Sequence, residues 1–123
     1  MVQLGDVRPT AHVVMNIHID SDEYNKRQMQ LLEYLVREII STLEEEGVSP
    51  DRLRKTVDSL AFRICTILDS SRIIDVEGKR LRPFLVFADD KRFEELVANE
   101  DGSSLHDEVY QLIEKIFKSK SSA

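Results

Sequence analysis

The sequence predicts an α+β fold in which a small three-stranded, mainly antiparallel sheet packs against helices, in the order β-α-α-β-β-α-α. A stretch near the N-terminus alternates apolar and polar side chains, which is typical of a strand with one buried face. Several later segments repeat apolar residues every three or four positions, as amphipathic helices do. Between them lies a hairpin signal around Gly78. We expect one domain over residues 1–123, with a loose N-terminus at 1–9 and a frayed tail at 119–123.

The first strand is predicted at residues 11–19, and the first helix follows it directly. Asp20 and Glu23 form a capping-box pattern, in which each side chain can accept a backbone N–H at the start of a helix. An apolar stripe then extends the helix over about residues 22–46, and Gly47 is placed to end it. The apolar positions of the strand are the odd-numbered ones: Val13, Met15, Ile17 and Ile19.

A second helix is predicted to begin at Ser49 and Pro50, with serine as the N-cap and proline at the first helical position. It carries a stripe from Leu53 to Leu68, and the short connection predicts an antiparallel pair of helices. The preceding helix ends in three glutamates, where the helix dipole disfavours negative charge. We expect this last turn either to fray or to pair with cations. If the second helix folds back against the first, the candidates lie just across the turn: Arg52, Arg54 and Lys55.

Residues 72–87 predict a β-hairpin. With Gly78 and Lys79 at the centre of the turn, opposite charges face each other across the two strands. The strand at 82–88 is apolar on both faces, so we place it in the middle of the sheet, between 72–77 and 11–19. The two charged pairs expected in this register are Glu77 with Arg80 and Asp75 with Arg82.

The remaining segments are predicted to be helical. Asp89 or Asp90 caps a short helix that carries Phe93, Leu96 and Val97, and a longer helix begins at Ser104.

Composition excludes several classes of function. The 17 Lys and Arg against 23 Asp and Glu give a net charge of −6, which disfavours binding to nucleic acid. The longest apolar run, residues 84–88, is far shorter than a membrane-spanning helix, and the N-terminus has no secretory signal pattern. Cys65 is the only cysteine, so no intramolecular disulfide can form. We therefore expect a soluble, cytoplasmic protein.

The candidate binding residues are few and scattered. His18 and Asp20 lie on one face of the first strand, but a metal would need a third ligand, so we favour a solvated face. Asp90, beside Asp89, could contribute to a Mg²⁺ site, although helix capping explains the pair more simply. The cations of the predicted hairpin, among them Arg80 and Arg82, could bind a carboxylate or a phosphate. The competing interpretation is that they form surface ion pairs. The predicted ligand-binding residues are Arg82, Arg80, His18, Asp20 and Asp90.

No catalytic residue, metal site or cofactor is predicted. Cys65 lies beside Ile64 in an apolar stripe and is expected to pack as a small hydrophobe. His106, in the first turn of the last helix, is expected on the surface near Tyr110. The chain has no phosphate-binding glycine loop, no Cys-x-x-Cys pair, no nucleophile elbow and no zinc-protease motif.

These observations favour a small acidic protein-interaction module of the adaptor, chaperone or inhibitor type over an enzyme. Its partner would be another protein or a second copy, paired through a free strand edge or the apolar side of the long helix. The alternative is a small-molecule or anion-binding domain, or a small enzyme, with a pocket between sheet and helices.

Overall fold

The computed structural model describes residues 14–122 and confirms the α+β class. Three helices enclose the core, a three-stranded mixed sheet packs against them at one end, and a separate two-stranded hairpin projects from the chain. The predicted loose N-terminus at 1–9 and the first residues of the predicted strand lie outside the described residues. The elements are β1 (Asn16–Ile19), α1 (Ser21–Glu45), α2 (Pro50–Leu68), β2 (Ile74–Val76), β3 (Lys79–Leu81), β4 (Phe87–Asp89), β5 (Arg92–Ala98) and α3 (Leu105–Ser122).

The core lies between the three helices, where their apolar stripes meet. Helices α2 and α3 run antiparallel: the Phe62 and Tyr110 rings stack with centroids 5.1 Å apart, and near the other end the Arg54 guanidinium lies over the Phe117 ring. The final helix continues to Ser122, so it includes most of the predicted tail. The largest fully buried side chains are Tyr24, Leu32, Leu105, Ile113, Val36, Val57, Val109 and Cys65.

Local sequence signals set the helix ends, but the predicted capping box forms only in part, because the Asp20 N–H donates to Ala98 and the Glu23 carboxylate accepts from Arg27. Asp20 is the N-cap of α1, and its carboxylate accepts the backbone N–H of Glu23 at 3.1 Å. Gly47, with φ +85°, follows the helix in the left-handed conformation. Ser49 is the N-cap of α2 through its backbone, without a side-chain hydrogen bond, and Pro50 is the first helical residue.

The expected pairing of the Glu44–Glu46 run with the cations of α2 is wrong. Glu44 pairs with Lys120 of α3 instead, at 3.4 Å, and Arg54 packs over Phe117. The reason is geometric: α2 buries its apolar stripe against the other helices, which leaves Arg52 and Lys55 exposed on its outer side.

The sheet has the order β1-β5-β4, with β5 parallel to β1 and antiparallel to β4. The short helix predicted to carry Phe93, Leu96 and Val97 is therefore wrong, because these residues belong to the central strand β5. Asp89 does not cap a helix. Its carboxylate accepts the N–H of Lys91 at 2.9 Å and so shapes the turn between β4 and β5.

The predicted central strand at 82–88 is also wrong. Only Phe87–Asp89 forms a strand, and β4 lies at one edge of the sheet. This segment packs against Tyr24 of α1. The Tyr24 hydroxyl donates to the Leu85 carbonyl at 2.7 Å, and the Tyr24 ring contacts the Phe87 ring edge-on. Tyr24 thus attaches the segment to α1.

The hairpin forms, but its turn is centred one residue earlier than predicted, which moves every cross-strand partner by two residues. Asp75 lies opposite Arg80 and Val76 opposite Lys79, so Glu77 and Gly78 are the central turn residues. Both have positive φ, +52° and +80°, and the Asp75 carboxylate accepts the Gly78 N–H at 3.1 Å. Since almost all side chains of β2 and β3 are exposed, no buried face opposes this register, and the turn chemistry decides it.

Candidate functional site

The most unusual surface of the protein is the free edge of β1. This strand pairs with β5 on one side only, and no strand of residues 14–122 covers the other side. All four residues of β1 are exposed. We call Met15–Ile19 the open edge.

One face of the open edge is polar and organised by Glu95 of β5. The Asn16 amide donates to one carboxylate oxygen at 2.8 Å, and His18 Nε2 lies 3.5 Å from the other. The hydrogen bond from Asn16, followed by the interactions with His18 and Arg92, lowers the pKa of Glu95 below its ordinary value. The polar side chains of this face are thus held against the sheet.

The opposite face of the open edge is apolar. Met15, Ile17 and Ile19 are between 55% and 60% exposed, and Val14 just before them is exposed as well. Proteins usually protect edge strands with lysine, proline, bulges or a covering element. Residues 14–19 contain no proline, lysine, arginine or carboxylate. The open edge therefore has none of the common side-chain devices that prevent another strand from pairing with it.

The backbone of the open edge also points outward at alternate residues. The Asp20 N–H donates to the Ala98 carbonyl at 3.1 Å, so the even-numbered residues direct their backbone groups toward β5. In a strand, successive residues direct these groups to opposite sides. The N–H and C=O groups of Ile17 and Ile19 consequently face away from the sheet, and continuing the alternation by one residue places those of Met15, just before β1, on the same side.

A second feature is a buried carboxylate that sequence reasoning missed. The side chain of Asp69, just after α2, is fully buried. Its carboxylate accepts one hydrogen bond from the backbone N–H of His106, at 2.9 Å, and a second from the Nδ1 of the same residue. It also accepts the N–H and hydroxyl of Ser71, at 3.1 and 2.6 Å. The His106 side chain is 32% exposed, and through Asp69 it also joins the start of α3 to the end of α2, a contact that the sequence did not predict.

Together, these hydrogen bonds affect the pKa of Asp69 more than burial does. Burial alone would raise the pKa of this carboxyl, but the donors from Ser71 and His106 hold it below its ordinary value. The nearest thiol responds in the opposite sense: burial, with the charge of Asp69, raises the pKa of Cys65 to about 12. Cys65 is completely buried, which confirms that it packs as a small hydrophobe.

A cavity of about 360 Å³ lies beside Asp69, between the end of α2, residues 82–85 and the loop before α3. It contains Arg82, the first of the predicted ligand-binding residues. Three carboxylates, Asp69, Glu100 and Asp101, line the same cavity. Because these carboxylates outnumber the single guanidinium, the cavity does not favour an anionic ligand. The remaining lining residues are Leu68, Ser70, Pro83, Phe84, Leu85, Gly102 and Ser103.

The other predicted site residues lie apart. His18 binds Glu95, Asp20 caps α1, and Asp90 follows β4 in an exposed turn. Arg80 lies opposite Asp75 in the projecting hairpin, and it borders a smaller depression together with Arg82. Between residues 14 and 120, no hydrogen bond or ion pair joins any two side chains of the five-residue set.

No group of three or more metal-binding side chains occurs within the described part of the chain. No helix of residues 14–122 is both long and apolar enough to cross a bilayer.

Comparison with known proteins adds no assignment. No model of a known family matches the chain, and neither the curated proteins nor the solved structures contain a match. Function must therefore be inferred from the surface and the geometry.

Proposed function

We propose that this protein is a non-enzymatic interaction module that binds another polypeptide by adding a strand to the open edge. The observation that carries the proposal is the combination of outward backbone groups and exposed apolar side chains at Met15, Ile17 and Ile19. In strand addition, main-chain hydrogen bonds supply affinity, and alternate side chains supply specificity. A reducing, cytosolic location fits the single buried thiol.

The chemistry of the buried groups supports a binding role over a catalytic one. Both ring nitrogens of His106 lie beside carboxylates, Asp69 and Asp107, and the Ser71 hydroxyl donates to Asp69 and not to the imidazole. A nucleophile needs an effective base within hydrogen-bonding reach. The base that accepts from Ser71 is Asp69, and its lowered pKa and further donors make it a weak one. No base is hydrogen-bonded to Cys65 among the described residues. The alternative of an anion-binding pocket at Arg82 gains no support from charge, because the cavity is predominantly acidic.

The proposal is tested by titrating the protein into a fluorescent strand-forming peptide, such as alternating Thr and Val with terminal lysines, and measuring anisotropy. We expect saturable binding. The variant Ile17→Pro should weaken it about tenfold, because it removes one outward N–H without removing a donor to β5.

Two controls separate strand addition from general stickiness. Ile17→Thr keeps the N–H and the β propensity, so it should bind more tightly than Ile17→Pro. The same peptide methylated at every backbone nitrogen has no N–H to donate from either edge, so it cannot form the ladder and should not bind. Equal binding of the methylated peptide, or of the proline variant and the wild type, would show that the open edge is not the docking surface.

A further inference from the structure

We infer that the strand that occupies the open edge is β1 of a second copy, paired antiparallel so that Ile17 lies opposite Ile17 of that copy. This inference rests on the proposed function and names its partner. The result would be one continuous six-stranded sheet across a two-fold axis, built from the β1-β5-β4 sheets of the two copies.

The register follows from which backbone groups are free. Met15, Ile17 and Ile19 present their N–H and C=O groups outward. In an antiparallel pair, two facing residues with outward groups exchange two hydrogen bonds. With Ile17 facing its equivalent, Met15 faces Ile19 on both sides of the axis, and three such pairs form about six hydrogen bonds. A shift of the pairing toward α1 would bring Ser21, already helical, into the ladder.

The side chains of the open edge are self-complementary in that same register. The order Met15, Asn16, Ile17, His18, Ile19 is apolar, polar, apolar, polar, apolar, and it is symmetric about Ile17. A two-fold axis perpendicular to the sheet keeps each face on its own side, so Met15 meets Ile19 on the apolar face and Asn16 meets His18 on the polar one. An isologous interface requires this kind of self-complementarity.

Charge permits this pairing although the whole chain is acidic. The net charge of −6 opposes close approach of two copies, but residues 14–19 carry no carboxylate, lysine or arginine. Of the acidic side chains beside the open edge, Glu95 is held by Asn16 and His18 on its own sheet, and Asp20 is engaged as the N-cap of α1. Pairing at the open edge thus brings together the neutral parts of two acidic molecules.

Cysteine cross-linking tests the register directly. Facing residues in such a pair have Cα atoms about 5.5 Å apart, within the range that a disulfide spans. Oxidised Ile17→Cys should therefore form a covalent dimer on a non-reducing gel. Two His18→Cys chains would be about 8 Å apart and two Ile19→Cys chains farther, so both should cross-link at least about tenfold more slowly. Cys65 is buried and does not compete.

Mixing two different cysteine variants tests the same register a second time. Met15→Cys chains combined with Ile19→Cys chains should yield a heterodimer, because these residues face each other in the inferred register. Failure of Ile17→Cys to cross-link at high concentration would overturn the inference, as would equal rates for all variants. If the strand peptide still binds in that case, the proposed function stands and only the identity of the partner is wrong. If peptide binding fails as well, both are wrong.

Discussion

Replacing Asp69 with alanine should destabilise the protein by about 3 kcal/mol at about pH 7. The carboxylate is fully buried and accepts four hydrogen bonds, two from Ser71 and two from His106. Its loss would leave these donors, at the end of α2 and the start of α3, without their acceptor. Urea unfolding followed by circular dichroism measures the change.

The pH dependence of this effect has a definite sign. Because the pKa of Asp69 is lower in the folded protein than its ordinary value, the ionised carboxylate contributes stability above about pH 4. That contribution is lost as the pH falls through the lowered pKa. The stability difference between wild type and Asp69→Asn should therefore be full near pH 7 and shrink below about pH 4. As a control, Asp51→Asn, at an exposed position on α2, should change stability little. A difference that stays constant with pH would contradict the assignment.

Tyr24→Ala should be at least as damaging, with a loss of about 3 to 5 kcal/mol in the free energy of unfolding. The Tyr24 side chain is completely buried, its ring packs against Phe87, and its hydroxyl donates to Leu85. Truncation would leave a cavity and detach residues 85–87 from α1. Thermal and urea unfolding both measure this loss.

The variant Tyr24→Phe separates packing from hydrogen bonding. It keeps the ring and removes only the donor to the Leu85 carbonyl, so the expected loss is about 1 kcal/mol. Tyr34, on the exposed side of α1, is the matched control, and Tyr34→Ala should cost less than about 1 kcal/mol. Equal losses for Tyr24→Ala and Tyr34→Ala would show that Tyr24 does not anchor the sheet to α1.

The parts of the fold that depend on local chemistry could be predicted from the sequence. The helix ends depend on backbone groups within a few residues, so a short stretch of sequence is enough to predict them. The residues concerned are Asp20 with Glu23, Gly47 and Pro50. Residues 92–98 could not be assigned from such a stretch. Their spacing of apolar residues is compatible with a helix, but pairing with β1, nearly 80 residues earlier, makes them a strand.

The candidate site shows the same division. The alternation of Met15, Ile17 and Ile19 correctly predicts a strand, but the apolar face that it predicts to be buried in the core is exposed. The exposure arises because the core lies between the three helices: among the described residues of β1, β4 and β5, only Ala98 is buried. Asp69 and His106 are 37 residues apart, and only the antiparallel packing of α2 and α3 brings them together. The sole local signal was the Asp-Ser-Ser turn at residues 69–71.

Amide hydrogen exchange along β1, followed by NMR, tests the claim of an open edge that pairs with a second copy most directly. In dilute solution, the N–H of His18 should be protected by β5, whereas those of Ile17 and Ile19 should exchange as exposed amides do. At high protein concentration, Ile17 and Ile19 should become protected while His18 changes little. Exchange at Ile17 and Ile19 that stays fast at every concentration would contradict pairing between copies.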